Sequence, residues 1–152
     1  MPNLKTAATD QESTRLAELQ RYQLLDSEPD QLIQAIVEMA AELLDAPISL
    51  VSLVDESRQW FYAKQGIRTT ETPRRDAICA YTIQSDDPLV IPDASKDPVF
   101  KHNALVTGEP NIRFYAGIPL TTPTGHRLGS LCVIDTKPRE ISEAQLRQLS
   151  IL

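Results

Sequence analysis

Two cysteines, two histidines, a set of arginines and a group of aromatics are where this chain could do chemistry. Cys79 lies in the run AICAYTI, shortly after the Arg74–Arg75 pair, and nearby positive charge favours a reactive thiolate. It is a candidate ligand contact or redox-responsive thiol. Its plainer reading, a small buried hydrophobe, carries more weight because free cysteine commonly behaves that way. Cys132 stands between Leu131 and Val133 in an apolar run and reads as core. Two cysteines without close spacing form no zinc motif and no obvious disulfide framework. His102 follows DPVFK and could touch a ligand or a metal; without a partner at ligand spacing, a surface or capping role suits it better. His126, after Gly125, reads as an exposed loop residue. Arg68, Arg74, Arg75 and Arg113 could meet an anion, since guanidinium matches carboxylate and phosphate geometry, or could pair internally with Glu71, Asp76 or Asp93. Trp60, Phe61, Tyr62, Tyr81, Phe100, Phe114 and Tyr115 could line a pocket for a flat ligand or serve as core. No nucleophile–base–acid motif and no glycine-rich phosphate loop is readable. The candidate ligand contacts are Trp60, Cys79, Tyr81, Phe100, His102, Arg113 and Tyr115, with no catalytic set and no metal set.

These residues need elements to hold them. From Arg113 to Asp135 the chain reads as two strands and a tight loop. Phe114, Ala116, Ile118 and Leu120 alternate on the first strand. Leu128, Ser130, Cys132 and Ile134 alternate on the second, with Leu131 and Val133 facing the other way. Pro123, Thr124 and Gly125 supply the turn. Gly117 and Gly129 inside the strands predict a bulge or a close backbone approach. Ile48 to Val54 reads as a central strand and Gln59 to Lys64 as its return; Leu89 to Ile91 is a short strand. Residues 66–76 read as loop, Ala77 to Gln84 as a short helix, and Pro98 to Asn103 as a helical turn.

Helices flank this sheet. Residues 1–9 read as a disordered N-terminus. A helix over 10–25 starts near Asp10 or Ser13 and carries Leu16, Leu19 and Tyr22 toward a partner surface. Ser27-Glu28-Pro29-Asp30 reads as the start of a second helix with Ser27 as its cap, and Leu32, Ile33, Ile36, Val37, Ala40, Leu43 and Leu44 follow helical spacing. Ser142 to Gln145 form a capping box for a last helix over 142–152, with Ile141 and Leu146 as its staple. That helix has no glycine or proline stop, and we expect it to continue or to pack on a neighbour.

The 152 residues suit a single domain with a sizeable core. The net charge of −6 falls entirely within residues 1–47, which hold nine acids against three bases. Nothing resembles the basic footprint of a nucleic-acid binder. No apolar run is long enough to span a membrane and no export signal is readable, so a cytoplasmic location is expected.

Three stretches carry a family resemblance: FYAGIPL with LGSLCVID (Phe114 to Asp135), LVSLVDESRQWF (Leu50 to Phe61) and LVIPDASKDPVFKHNALV (Leu89 to Val106). Together they resemble a GAF domain, a small sensory module of bacterial signalling proteins. The resemblance implies an α+β, PAS-related fold over residues 10–152. A central, mostly antiparallel sheet would carry the terminal helices on one face and a lid of loops and short helices on the other. It also implies a small-molecule pocket under the lid and a homodimer through the terminal helices. RLAELQRYQLLDSEPD (Arg15 to Asp30) resembles the N-terminal GAF domains that precede histidine-kinase or diguanylate-cyclase outputs in two-component and related systems. Bilin-binding members use a cysteine usually followed by histidine. Here Cys79 precedes Ala80 and Cys132 precedes Val133, which disfavours a covalent bilin. The Asn-Lys-Phe-Asp-Glu signature of cyclic-nucleotide binders is absent, which disfavours a cyclic nucleotide, and the ligand stays unknown. Two alternatives remain: a thiol-based redox sensor or methionine-sulfoxide-reductase-like enzyme using Cys79, and a ligand-free dimerisation module.

Overall fold

The computed structural model describes residues 4–151, with side chains described from residue 11 onward. Six strands form one sheet: β1 (Ile48–Val54), β2 (Arg58–Gln65), β3 (Glu71–Pro73), β4 (Leu89–Ile91), β5 (Phe114–Thr121) and β6 (Arg127–Asp135). Their order is β3-β2-β1-β6-β5-β4, and every neighbouring pair is antiparallel. β1 is central because all seven of its residues are buried, which requires packing on both faces. The alternating runs therefore form an α+β sheet with a layer on each side.

One layer is built from three longer helices: α1 (Leu4–Arg21), α2 (Gln31–Leu44) and α5 (Glu143–Ile151). Leu19, Val37, Leu44 and Leu149 pack there against Leu53, Phe114, Leu131 and Val133. Each such fully buried aliphatic side chain contributes about 1.5–3 kcal/mol. α2 is held at both ends. Asp30 caps its N-terminus by accepting from the Leu32 amide at 2.8 Å, and Asp45 turns left-handed (φ 48°) beyond its last residue. The Arg139 guanidinium donates to the Leu44 carbonyl and stacks 5.4 Å from the Phe114 ring. A cation at the negative end of a helix is favourable.

The opposite layer is the lid. It comprises β3, a 3-10 turn at Arg74–Asp76, α3 (Cys79–Thr82), a second 3-10 turn at Ala94–Lys96, and α4 (Ala104–Thr107). Ile78, Ile83, Phe100, Val106 and Ile112 pack from it onto Leu50, Phe61, Tyr115 and Ile134 of the sheet.

Several sequence expectations shift. α1 begins at Leu4, six residues before the expected start at Asp10, so residues 4–9 are helical; residues 1–3 lie outside the described residues. α2 is capped by Asp30, whereas Ser27 closes the preceding turn by donating to the Leu24 carbonyl at 2.6 Å. Part of the expected loop 66–76 pairs with β2 as strand β3. The helical turn expected over 98–103 is present as a single turn, with the Lys101 amide donating to the Asp97 carbonyl at 2.9 Å, and a further short helix, α4, follows it, where the Asn103 side chain caps by accepting from the Leu105 amide. The expected capping box is present: the Gln145 amide donates to Ser142 Oγ at 3.0 Å, and the Ser142 amide to Gln145 Oε1 at 3.1 Å. Leu128 joins Leu131 and Val133 on the helix side rather than following Ser130 and Cys132, because the register slips between Leu120 and Thr121. A bulge reverses the alternation beyond it.

Candidate functional site: the chamber beneath the lid

A row of polar residues crosses the lid face of the sheet. Gln59 lies on β2, Ser52 on β1 and Ser130 on β6, all fully or nearly buried. Ser52 and Ser130 are directly paired across the strands, and Ser52 Oγ donates to Gln59 Oε1 at 2.9 Å. Gln59 Nε2 donates in turn to Thr72 Oγ1 at 2.8 Å. Burying these groups is tolerable because they satisfy one another.

Tyr115 extends the row from β5. Its ring lies along the strand over Gly117, where a Cβ would stand 2.4 Å from the phenolic oxygen. Only glycine leaves that space. The hydroxyl reaches Thr82 Oγ1 at 2.7 Å, Cys79 Sγ at 3.2 Å and Ser130 Oγ at 3.4 Å. Ser130 also donates to Cys79 Sγ at 3.0 Å. The two free cysteines meet here, with their sulfurs 3.9 Å apart. The two thiols differ in acidity. The hydrogen bonds that Cys79 shares with Cys132, Ser130 and Tyr115 favour its thiolate against the effect of burial, while the contact with Cys79 and burial push Cys132 up. Burial, then the neighbouring cysteines, pushes the Tyr115 phenol well above its usual value.

Beside this cluster is a cavity of about 30 Å³, lined by Gln59, Thr72, Tyr115, Cys79, Cys132 and apolar lid residues including Ile67 and Leu105. Among the described residues, no charged side chain lines it. Its volume holds one or two water-sized molecules, far below the roughly 300–1,000 Å³ of pockets for larger ligands.

The lid is tied to α1 by charge. Glu12 of α1 accepts from Arg15 at 2.9 Å and also from Arg74 at the start of the first 3-10 turn. Arg74 donates further to the Asp55 carbonyl at 3.0 Å, and Arg15 to the Arg127 carbonyl at 3.3 Å. The hydrogen bond from Arg15, then the one from Arg74, hold the Glu12 carboxyl at about 2.

The expected site residues divide. Cys79 and Tyr115 meet at the centre of the cluster, and Phe100 is buried in the lid core. Tyr81 is exposed and stands edge-on to Phe100, with ring centroids 4.9 Å apart. His102 is exposed. Arg113 braces the lid from outside, donating to the Val106 and Ile112 carbonyls at 2.9 Å each. Trp60 packs on the helix face, 6.2 Å from Tyr62, because strand parity sends Phe61 to the lid and Trp60 away from it. The missed members are Thr82, Ser130, Gln59, Ser52 and Thr72. Ser130 and Ser52 had a signal: small polar residues within apolar strand runs, sharing a face with Cys132 and Leu50.

The pattern of the GAF domain family matches residues 28–152. The chain belongs to the GAF family. It is 45% identical, over 130 residues, to a cyclic di-GMP phosphodiesterase of Pseudomonas aeruginosa. That match covers 86% of this chain but only 22% of the relative. Among solved structures, the GAF domain of an Acinetobacter phosphoenolpyruvate-protein phosphotransferase superposes with a TM-score of 0.66 at 19% identity, over 99% of this chain and 89% of that one. A type II free methionine-R-sulfoxide reductase from Thermoplasma acidophilum gives 0.63 at 14% identity, over 93% and 88%. At such identities the likeness concerns the GAF fold. No described helix of this GAF domain is long and apolar enough to cross a membrane.

Proposed function

We propose that this GAF domain is a non-catalytic, cytoplasmic sensory module within a larger signalling protein. It binds a small neutral polar molecule under the lid and passes the event to its partners through the terminal helices. The observation that carries the reading is the buried row of hydroxyls and amide beside the cavity. Tyr115, Gln59 and Thr72 line the cavity and can each exchange an internal hydrogen bond for one to a guest. The uncharged lining argues against a phosphate-bearing cyclic nucleotide in this chamber, and the small volume argues against a bilin.

A guest larger than a few atoms enters only when the lid opens. A ligand that prefers the open lid then shifts the population toward it. Opening loads the Glu12–Arg74 contact, so the conformation of the lid is felt by α1. The similarity to a cyclic di-GMP phosphodiesterase favours an output domain that handles cyclic di-GMP over a histidine kinase.

Native mass spectrometry of the freshly purified chain tests the reading. An added mass on each protomer, lost on denaturation, supports it. A bare mass, with no shift in Tm across a panel of small neutral metabolites, refutes it. The nearly filled chamber also favours a second reading, a ligand-free dimerisation module. Tyr22 and Met39 on the helix side are exposed, and an apolar groove of about 630 Å³ runs along Tyr22, Ile33 and Leu120. Sedimentation equilibrium reads this directly: a homodimer supports it and a monomer at high concentration excludes it.

A further inference from the structure

The chamber contains the chain's only two cysteines, drawn from elements far apart in sequence: Cys79 at the start of lid helix α3 and Cys132 in the middle of β6. Their sulfurs are 3.9 Å apart, close enough for a bond after a movement of about 2 Å to the usual S–S length. Ser130 Oγ and the Tyr115 hydroxyl both reach Cys79 Sγ, at 3.0 and 3.2 Å, and can stabilise its thiolate. The adjoining cavity is lined by both cysteines and has room for a molecule of two heavy atoms.

We propose that Cys79 and Cys132 are a dithiol that a small hydroperoxide oxidises to a disulfide linking the lid to the sheet. The Cys79 thiolate attacks one peroxide oxygen. The O–O bond breaks, the alcohol or water leaves with a proton, and Cys79 becomes a sulfenic acid. The Cys132 sulfur then attacks the Cys79 sulfur, the S–O bond breaks, and water leaves with the Cys132 proton. Two thiols and one hydroperoxide give one disulfide, one alcohol or water, and one water. The two sulfurs are oxidised by the two electrons that the peroxide takes up. A dithiol reductant reverses the step by exchange.

The order of attack follows from the surroundings. Ser130 Oγ donates to Cys79 Sγ and the Tyr115 hydroxyl lies 3.2 Å from it, contacts that favour its thiolate, so Cys79 reacts first; Cys132, held in β6, resolves the sulfenic acid. The bond pins α3 to the central sheet and holds the lid shut. This inference is independent of a small-molecule ligand, because it needs only the two sulfurs and the oxidant.

The test treats the reduced 152-residue chain with hydrogen peroxide and reads intact mass, free thiols and a peptide map. The expected result is a loss of two hydrogens, no free thiol under denaturing conditions, and one linked peptide containing Cys79 and Cys132. A dithiol reductant should restore both thiols. In Cys132→Ser, oxidation should add oxygen at Cys79; in Cys79→Ser, Cys132 should stay a thiol. The proposal is overturned if the native wild-type chain keeps both thiols, if Cys79 accumulates sulfinic acid beside a free Cys132, or if only intermolecular disulfides form. The wild-type readout decides the matter even where a serine variant does not fold. Bound mass in the reduced chain reports on the ligand separately, so the two readings fail in different experiments.

Discussion

Tyr115→Phe is the sharpest probe of the chamber, because it removes one oxygen and leaves the ring that fills the core. The phenolic oxygen of Tyr115 lies 2.7 Å from Thr82 Oγ1, which is buried with Thr82 at 1% exposure. Ser130 and Cys79 keep their own contact at 3.0 Å when the phenol is gone. The orphan is therefore one neutral hydroxyl, Thr82 Oγ1, and an unsatisfied buried group of that kind costs about 1–3 kcal/mol. A value near 2 kcal/mol corresponds to a Tm drop of roughly 4–8 °C for a domain of this size. Thr82→Val should cost less, because the Tyr115 hydroxyl keeps Cys79 Sγ at 3.2 Å and Ser130 Oγ at 3.4 Å as partners. The double variant should cost less than the sum, by about 1 kcal/mol, because removing both partners leaves no orphan in the pair. Urea denaturation of the four proteins measures this cycle, with the m-value as a check that the unfolding transition is unchanged. Strict additivity, or a Tyr115→Phe variant as stable as the parent, would refute the hydrogen-bond account of this cluster.

Glu12→Gln tests the tie between α1 and the lid. The folded carboxyl is held at about 2, below its usual 4.5. Its stabilisation is therefore complete above about pH 4.5 and is lost as the pH falls toward 2. With a third of the side chain exposed, solvent screening limits the effect to about 1 kcal/mol at pH 7, and the parent and variant urea midpoints should converge near pH 2. Gly129→Ala places a Cβ 1.8 Å from the Ser52 carbonyl oxygen and 2.9 Å from the Leu53 Cα, both backbone atoms of the central strand. The cost should exceed about 4 kcal/mol, and circular dichroism should find little cooperative unfolding. Asp30→Ala removes the cap of α2 and should cost about 1 kcal/mol, read as a lower thermal midpoint with an unchanged fold.

Elements with local signals are legible in the chain's own residues. The all-apolar run of β1, the alternation of β5, the helical spacing of α2 and the Ser142–Gln145 capping box all arise from neighbours within a few residues. The charge asymmetry and the lid-and-helix layering through the GAF resemblance were legible for the same reason. Other features arise only when distant segments pack together. Whether Trp60 faced the lid depended on strand parity across β1 and β2. The face of Leu128 depended on a bulge that only strand pairing reveals. Strand β3 exists because β2 offered it an edge, not because Glu71-Thr72-Pro73 favours extension by itself. The site shows this most clearly. Cys79 and Tyr115 were visible as residue types, but the row joining them to Thr82, Ser130, Ser52 and Gln59 comes from four strands and a lid helix. Hydrogen bonds of about 3 Å between residues 15 to 51 positions apart are fixed by how the layers pack, and no local periodicity encodes that distance.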